Sequence, residues 1–128
     1  MPLAAPNGSV LAATADAFVN GGRKHEAVSW FEEALALAPG DVGATLGLVR
    51  LRLELRDAVA AAVLLSRALA ENPFDLRLLA AQRAVGLALF DQSRWNDADP
   101  WLRSAAELEP WDRVLTEAHG RVRRQAQA

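Results

Sequence analysis

The chain has 128 residues, of which 52% are hydrophobic and 23% charged, a composition typical of one globular domain rather than a disordered segment. Its net charge of −2 and isoelectric point near 5.6 argue against general nucleic-acid binding, which usually needs a basic face. With no cysteine, no tyrosine and two histidines, it lacks a thiol nucleophile and a metal-ligand cluster, so we expect no enzymatic activity and no cofactor or metal. The longest apolar stretch, residues 58–65, is far shorter than the roughly 20 residues that cross a bilayer.

Apolar residues recur at helical spacing along the chain, and no alternation of period two predicts a strand. Between residues 24 and 37, for example, Ala27, Val28, Phe31, Ala34 and Leu35 form the stripe of a helix that buries one face. Glycines, prolines and capping residues separate these stripes, because they interrupt or begin helices. The sequence therefore predicts an all-α fold of about seven helices, over residues 9–20, 24–37, 41–55, 58–71, 75–91, 96–108 and 112–125.

The stripes belong to a repeated unit. Pro39, Pro73 and Pro110 follow the same signature at intervals of 34 and 37 residues. Small residues stand 12 and 5 positions before each proline, a large apolar residue stands 8 before, and an aspartate stands two after. We expect the apolar set in the core, each aspartate to cap the next helix, and the three extra residues to lengthen helix 75–91 by about 4.5 Å. The positions are Ala27, Phe31, Ala34 and Asp41; Ala61, Leu65, Ala68 and Asp75; and Ala98, Leu102, Ala105 and Asp112.

This pattern of small, large apolar and small residues before a closing proline resembles the tetratricopeptide repeat. The resemblance covers about residues 8–110 and is weakest in the first helix of the second unit, where Val49 and Arg52 depart from the family's pattern. It implies a right-handed α-α superhelix of antiparallel helices. We expect a single domain over residues 1–128, with repeats at about 8–41, 42–75 and 76–112 and a capping helix at 112–125.

In this repeat class the first helices line a concave groove, so the resemblance implies a binding surface on one face of those helices. Positions 27, 23 and 20 before each proline share that face. An apolar row with charges beside it suits an extended peptide or amphipathic helix of a partner protein. The alternative is that Asp16 and Arg50 pair with each other and the row is ordinary, partly buried surface. The partner-binding candidates are Asp16, Val19, Leu46, Arg50, Leu53, Arg83, Leu87 and Phe90.

Some relatives bind chaperone tails through lysine, asparagine and arginine on the first helices. The matching positions here are Ala12, Asp16, Gly47, Ala80 and Ala84, so this kind of chaperone binding is disfavoured. Two other functions stay open: an N-terminal accessory segment of a larger bacterial enzyme, or a self-associating scaffold. We expect a cytoplasmic protein, since residues 1–7 lack the basic start of a signal peptide, and a monomer that binds neither nucleic acid nor membrane.

The other conspicuous residues have structural explanations. His25 and His119 have no partner at ligand spacing, and Asp97 with Asp99 would open the sixth helix. Three arginines within residues 121–124 would complement the dipole of the last helix. We expect the four tryptophans to pack between hairpins, with Trp95 as the first candidate for exposure.

Overall fold

The computed structural model describes residues 23–127, which form six α-helices and no strand. Each helix matches one of the predicted helices to within two residues at either end. The seventh prediction, a helix over residues 9–20, lies outside the described residues. The helices are α1 (Lys24–Leu37), α2 (Val42–Glu54), α3 (Ala58–Glu71), α4 (Leu76–Asp91), α5 (Trp95–Leu108) and α6 (Arg113–Gln127).

Aspartates begin four of these helices, as the sequence predicts. The side chain of Asp41 accepts a hydrogen bond from the amide of Ala44 at 3.2 Å, and Asp57 accepts one from the amide of Ala60 at 3.2 Å. Asp75 and Asp112 cap α4 and α6 in the same way. The first amides of a helix have no intrahelical acceptor, so these side chains satisfy groups that the fold would otherwise leave unpaired.

The helices form an array in which each packs against the next one along the chain. In addition, α2 packs against α4, and α4 packs against α6, whereas α1, α3 and α5 have no Cα atoms within 8 Å of one another. Helices that approach closely lie on the inner side of a curved array, and helices that spread apart lie on its outer side. The concave side is therefore formed by α2, α4 and α6, and the convex side by α1, α3 and α5.

The core lies between these two layers. Eight of the nine residues predicted from the proline signature are at most 4% exposed, and Ala68 in the last turn of α3 is partly buried. Alanines at the helix contacts let neighbouring helices approach, and Phe31, Leu65 and Leu102 fill the space between them. Each such large side chain contributes about 1.5–3 kcal/mol through its removal from water.

The extra residues of the third unit lie in α4, which has 16 residues where α2 has 13. At 1.5 Å per residue, α4 is longer by about 4.5 Å, as expected. A longer α4 predicts that Phe90, near its end, projects past the neighbouring hairpin, and this prediction is wrong. Its ring packs edge-on against Trp95, with 5.2 Å between the ring centroids, because α5 begins directly beside the end of α4.

Two tight turns join helices within the hairpins, and each contains a residue with a left-handed backbone. Arg56 has φ 62° between α2 and α3, and Ser93 has φ 59° between α4 and α5. This conformation is costly for any residue with a Cβ atom. The two turns are also joined to each other, because the side-chain amide of Gln92 donates to the Arg56 carbonyl at 3.1 Å.

Candidate functional site

A cleft of about 400 Å³ lies on the concave side, between α2 and α4. Its wall on α2 contains Leu46, Arg50 and Leu53, three of the predicted binding residues. They share one helical face because they follow one another at intervals of four and three residues. The other lining residues are Gly43, Gly47, Val49, Ala81 and Ala84.

Small residues make up much of the lining of this cleft. Gly43 and Gly47 lie on α2, and Ala81 with Ala84 form the opposite wall on α4. Gly47 is required by packing, since a Cβ atom there would overlap Cε1 of Phe31, whose ring is buried under α2. The buried ring of Phe31 on α1 therefore requires a small residue at position 47 of α2.

Charges on the rim of the cleft differ in how they are satisfied. Arg50 is exposed, and no carboxylate of the described residues lies within ion-pair distance of its guanidinium. Glu54, one turn further along α2, pairs with Lys24 at 3.6 Å. The structure does not describe Asp16 or Val19, so the pairing of Asp16 with Arg50 lies outside the described residues.

Arg83, by contrast, binds another helix. Its Nε donates to Oδ2 of Asp112 at 2.9 Å, while Oδ1 of the same aspartate caps α6 through the amide of Leu115. The hydrogen bond from the Arg83 guanidinium, together with the backbone amides, lowers the pKa of Asp112 despite its partial desolvation. Arg83 therefore fixes the start of α6 against α4, a role that the sequence analysis did not assign to it.

Leu87 and Phe90 also face the end of the array. Leu87 is partly buried against the core, and the guanidinium carbon of Arg121 on α6 lies 5.4 Å from the centroid of the Phe90 ring. Since α6 packs beside α4, this part of the predicted row contacts the last helix. The structure thus brings Leu46, Arg50 and Leu53 into one cleft, and places Arg83 and Phe90 in contacts with α5 and α6.

A larger cleft, of about 610 Å³, lies on the convex side between α1 and α3. Arg52 forms part of its floor, with Nη2 donating to Oε1 of Glu32 at 2.9 Å and Nε buried without an acceptor among the described residues. The sequence had marked Arg52 only as a departure from the family's pattern. Its equivalent 37 residues later, Leu89, is fully buried.

The expectation that Trp95 is the first tryptophan to be exposed is wrong, and His119 has a contact that the sequence did not show. The Nε2 atom of His119 lies 3.1 Å from Oδ1 of Asp99, and Oδ2 of Asp99 accepts a hydrogen bond from Arg103 at 2.6 Å. The hydrogen bond from Arg103 is the main cause that lowers the pKa of Asp99. Trp95 is partly buried against Phe90, and the exposed tryptophan is Trp111, at 76%. The contact of His119 depends on how α6 packs against α5, and the contact of Trp95 depends on where α4 ends beside α5; the sequence pattern alone specifies neither.

Within residues 23–127 no group of three or more histidine, aspartate or glutamate residues is arranged to hold a metal ion. No helix of the same region is long and apolar enough to cross a bilayer.

Solved structures that superpose on this arrangement of helices include tetratricopeptide repeat domains. MamA MSR-1 superposes with a TM-score of 0.76 at 20% identity, over 95% of this chain and 68% of that one. The first tetratricopeptide repeat domain of Spaghetti (RPAP3), bound to an HSP90 peptide, superposes with a TM-score of 0.74 at 17% identity, over 95% of this chain and 94% of that one. The Arabidopsis OM64 tetratricopeptide repeat domain superposes with a TM-score of 0.70 at 23% identity, over 91% of this chain and 94% of that one. At such identities these similarities concern the fold.

No curated protein sequence matches the chain significantly. A family model described as tetratricopeptide repeat matches residues 22–85, which is half of the chain. The match spans α1, α2, α3 and the first part of α4, the same hairpins whose proline signature and packing are described above. The chain is therefore a member of the tetratricopeptide repeat family.

Proposed function

We propose that this protein is a protein-interaction module which binds a peptide or amphipathic helix of a partner in the cleft between α2 and α4. It acts as a cytoplasmic monomer and as a single domain of three hairpins closed by α6. The observation that carries the proposal is the cleft itself: apolar walls, a floor of small residues, and an arginine on the rim without an acceptor among residues 23–127.

The chemistry of the cleft indicates the kind of segment that fits. Leu46 and Leu53 offer partly buried apolar surface, to which one or two apolar side chains of a peptide would bind. Gly43 and Gly47 let the peptide backbone come close to α2. Arg50 would form an ion pair with an aspartate or glutamate of the peptide. The ligand is thus a short apolar segment with an adjacent acidic residue.

The family supports a peptide ligand without specifying its sequence. The Spaghetti (RPAP3) domain is bound to an HSP90 peptide in its structure, which shows that this fold accommodates a peptide in that protein. Here Gly47 and Ala84 occupy positions where chaperone-binding relatives place polar residues, and both line the cleft. The proposed ligand is therefore a different peptide, held mainly by apolar contacts.

Selection of peptides from a displayed random library against the immobilised protein, followed by measurement of their dissociation constants, tests this proposal. Leu53→Glu should weaken binding at least about 100-fold, because it places an unpaired charge against the apolar side chains of the peptide. Arg50→Glu should weaken it less, with an effect that diminishes as salt rises. The matched control is Val63→Glu on the convex helix α3, where the native side chain is 47% exposed.

Circular dichroism should show that all three variants remain folded, since none of the replaced side chains is fully buried. Selected peptides that bind Leu53→Glu as tightly as the unmodified protein would refute the cleft as the binding site. Equal weakening by Val63→Glu would refute it as well, because the effect would then follow from added charge alone.

A further inference from the structure

One edge of the array carries an exposed apolar surface that the packing of the fold does not use. The helices alternate in direction, so the turns from α3 to α4 and from α5 to α6 lie at the same edge, and α4 packs against both α5 and α6. Phe74 and Trp111 follow Pro73 and Pro110 directly in these turns, and they are 87% and 76% exposed. We refer to the surface formed by Phe74, Leu76, Leu108, Trp111 and Val114 as the corner patch; each of these side chains is at least 47% exposed.

The turns do not need these side chains. Pro73 and Pro110 end the preceding helices, and Asp75 and Asp112 cap the following ones. The equivalent residue of the preceding turn is Gly40, and that turn has the same pattern of backbone hydrogen bonds. Large aromatic side chains held in water at two equivalent positions therefore have no structural explanation within residues 23–127. Large exposed apolar side chains grouped at one edge of a protein are typical of interaction sites.

The charge around the corner patch is acidic. Glu71 at the end of α3, Glu107 at the end of α5 and Glu109 in the next turn are exposed and form no ion pair with the described residues. Asp75 and Asp112 are paired with Arg77 and Arg83. Two exposed arginines near this edge form no ion pair in the described region: Arg113, and Arg67 one turn before Glu71 on α3. Three unpaired carboxylates thus outnumber two unpaired guanidinium groups.

We propose that the corner patch docks a basic amphipathic helix of a partner protein, at a site separate from the cleft between α2 and α4. The apolar face of that helix covers Phe74 and Trp111, and its lysine or arginine side chains reach Glu71, Glu107 and Glu109. Neighbouring first helices of the array are about 8–10 Å apart, a spacing that one helix about 10 Å wide can bridge. The carboxylates would repel an anionic membrane surface, so the charge favours a basic protein segment over a bilayer.

The probe for this proposal is a synthetic amphipathic peptide of leucine and lysine, compared with the same peptide in which glutamate replaces lysine. Binding is followed by the anisotropy of a fluorophore on the peptide and, separately, by tryptophan emission. The lysine peptide should bind, with a blue shift in emission as Trp111 leaves water, and the glutamate peptide should bind at least tenfold more weakly. In Trp111→Phe the blue shift should disappear while the affinity stays within about threefold, because phenylalanine keeps the apolar contact.

Paired substitutions separate apolar docking from general attraction of a cationic peptide. Phe74→Ser with Trp111→Ser should weaken binding at least tenfold with an unchanged thermal midpoint, since both side chains are largely in water. Val59→Ser with Val63→Ser, at exposed apolar positions on the convex helix α3, should leave the affinity unchanged. Leu53→Glu should also leave it unchanged, which distinguishes this site from the cleft.

Equal binding by the serine pair and the unmodified protein would overturn the proposal, as would equal binding of the two peptides. Sedimentation of the unmodified protein as a dimer that the serine pair converts to a monomer would overturn it too, since a second copy of the chain would then cover the corner patch.

Discussion

Replacing Arg52 by leucine should stabilise the protein. Arg52 lies on α2, 37 residues before Leu89, which is fully buried at the matching position of α4. The arginine places its Nε in a similar environment, where the atom is buried and has no acceptor among the described residues. The end of the guanidinium is satisfied, because Nη2 donates to Glu32 at 2.9 Å and Nη1 forms an ion pair with Asp57 at 3.8 Å. Leucine would keep the apolar contacts of the stem and remove the unsatisfied group.

The magnitude follows from two opposing contributions. A buried donor without an acceptor costs about 1–3 kcal/mol. Leucine removes two ion pairs, one with Glu32 and one, at 3.8 Å, with Asp57; these carboxylate side chains are 54% and 47% exposed, and pairs of this kind contribute about 0.2–1 kcal/mol each. The difference is a gain of about 1 kcal/mol in the free energy of unfolding.

Urea denaturation followed by circular dichroism measures this gain directly. Arg67→Leu is the matched control, because Arg67 lines the same convex cleft but is exposed and forms no ion pair with the described residues. Its effect should stay within about 0.5 kcal/mol. A loss of stability in Arg52→Leu, with no change in Arg67→Leu, would refute the reasoning, since the ion pairs would then outweigh the buried donor.

Three further changes test other features. Ser93→Gly should raise the free energy of unfolding in urea by about 0.5–1 kcal/mol, because glycine adopts the left-handed backbone at φ 59° without strain; a loss would contradict this. Gly47→Ala should lower the free energy of unfolding by about 1–2 kcal/mol, since the cost of the overlap with buried Phe31 exceeds the gain in helix propensity. An alanine variant as stable as the native protein would show that the ring moves aside. The third change is Asp99→Asn, read from a pH titration of urea stability. The hydrogen bond from Arg103 is the main cause of the lowered pKa of Asp99, so the stability that Asp99 contributes is complete above the unfolded pKa of about 3.9 and is lost as pH falls through the folded pKa. The variant should therefore have a lower free energy of unfolding at pH 7, and that free energy should fall less between about pH 5 and 2 than in the native protein. Parallel curves of stability against pH would contradict this prediction.

The helices and their ends are determined by local sequence. Pro39, Pro73 and Pro110 each stand just beyond the end of a helix, and an aspartate two residues later caps the next one, whereas Pro100 lies inside α5. The bounds of the six described helices could be predicted to within two residues. Because the proline signature repeats, the core residues on the convex helices could be predicted as well, with Ala68 as the partly buried exception. The greater length of α4 could be predicted from the intervals between the prolines, which are 34 and 37 residues.

The binding surface was predictable only in part. Helical spacing places Leu46, Arg50 and Leu53 on one face of α2 whatever surrounds it, and the structure has them lining one cleft. Helical spacing does not predict that Arg83 contacts Asp112 or that Phe90 contacts Arg121. These contacts depend on residues 29 and 31 positions away, Asp112 and Arg121, whose location is decided by how α6 packs against α4.

Exposure of the aromatic residues was likewise decided by the tertiary structure. Trp95 and Trp111 both stand at the edges of helices, and a sequence pattern treats them alike. The ring centroids of Trp95 and Phe90 lie 5.2 Å apart, because the longer α4 ends beside Trp95. No group of the described region covers Trp111, which is largely exposed. Local sequence thus determined where each helix begins and ends, because caps and breakers act within a few residues. The tertiary structure decided which side chains meet or remain in water, because that depends on elements distant in the chain.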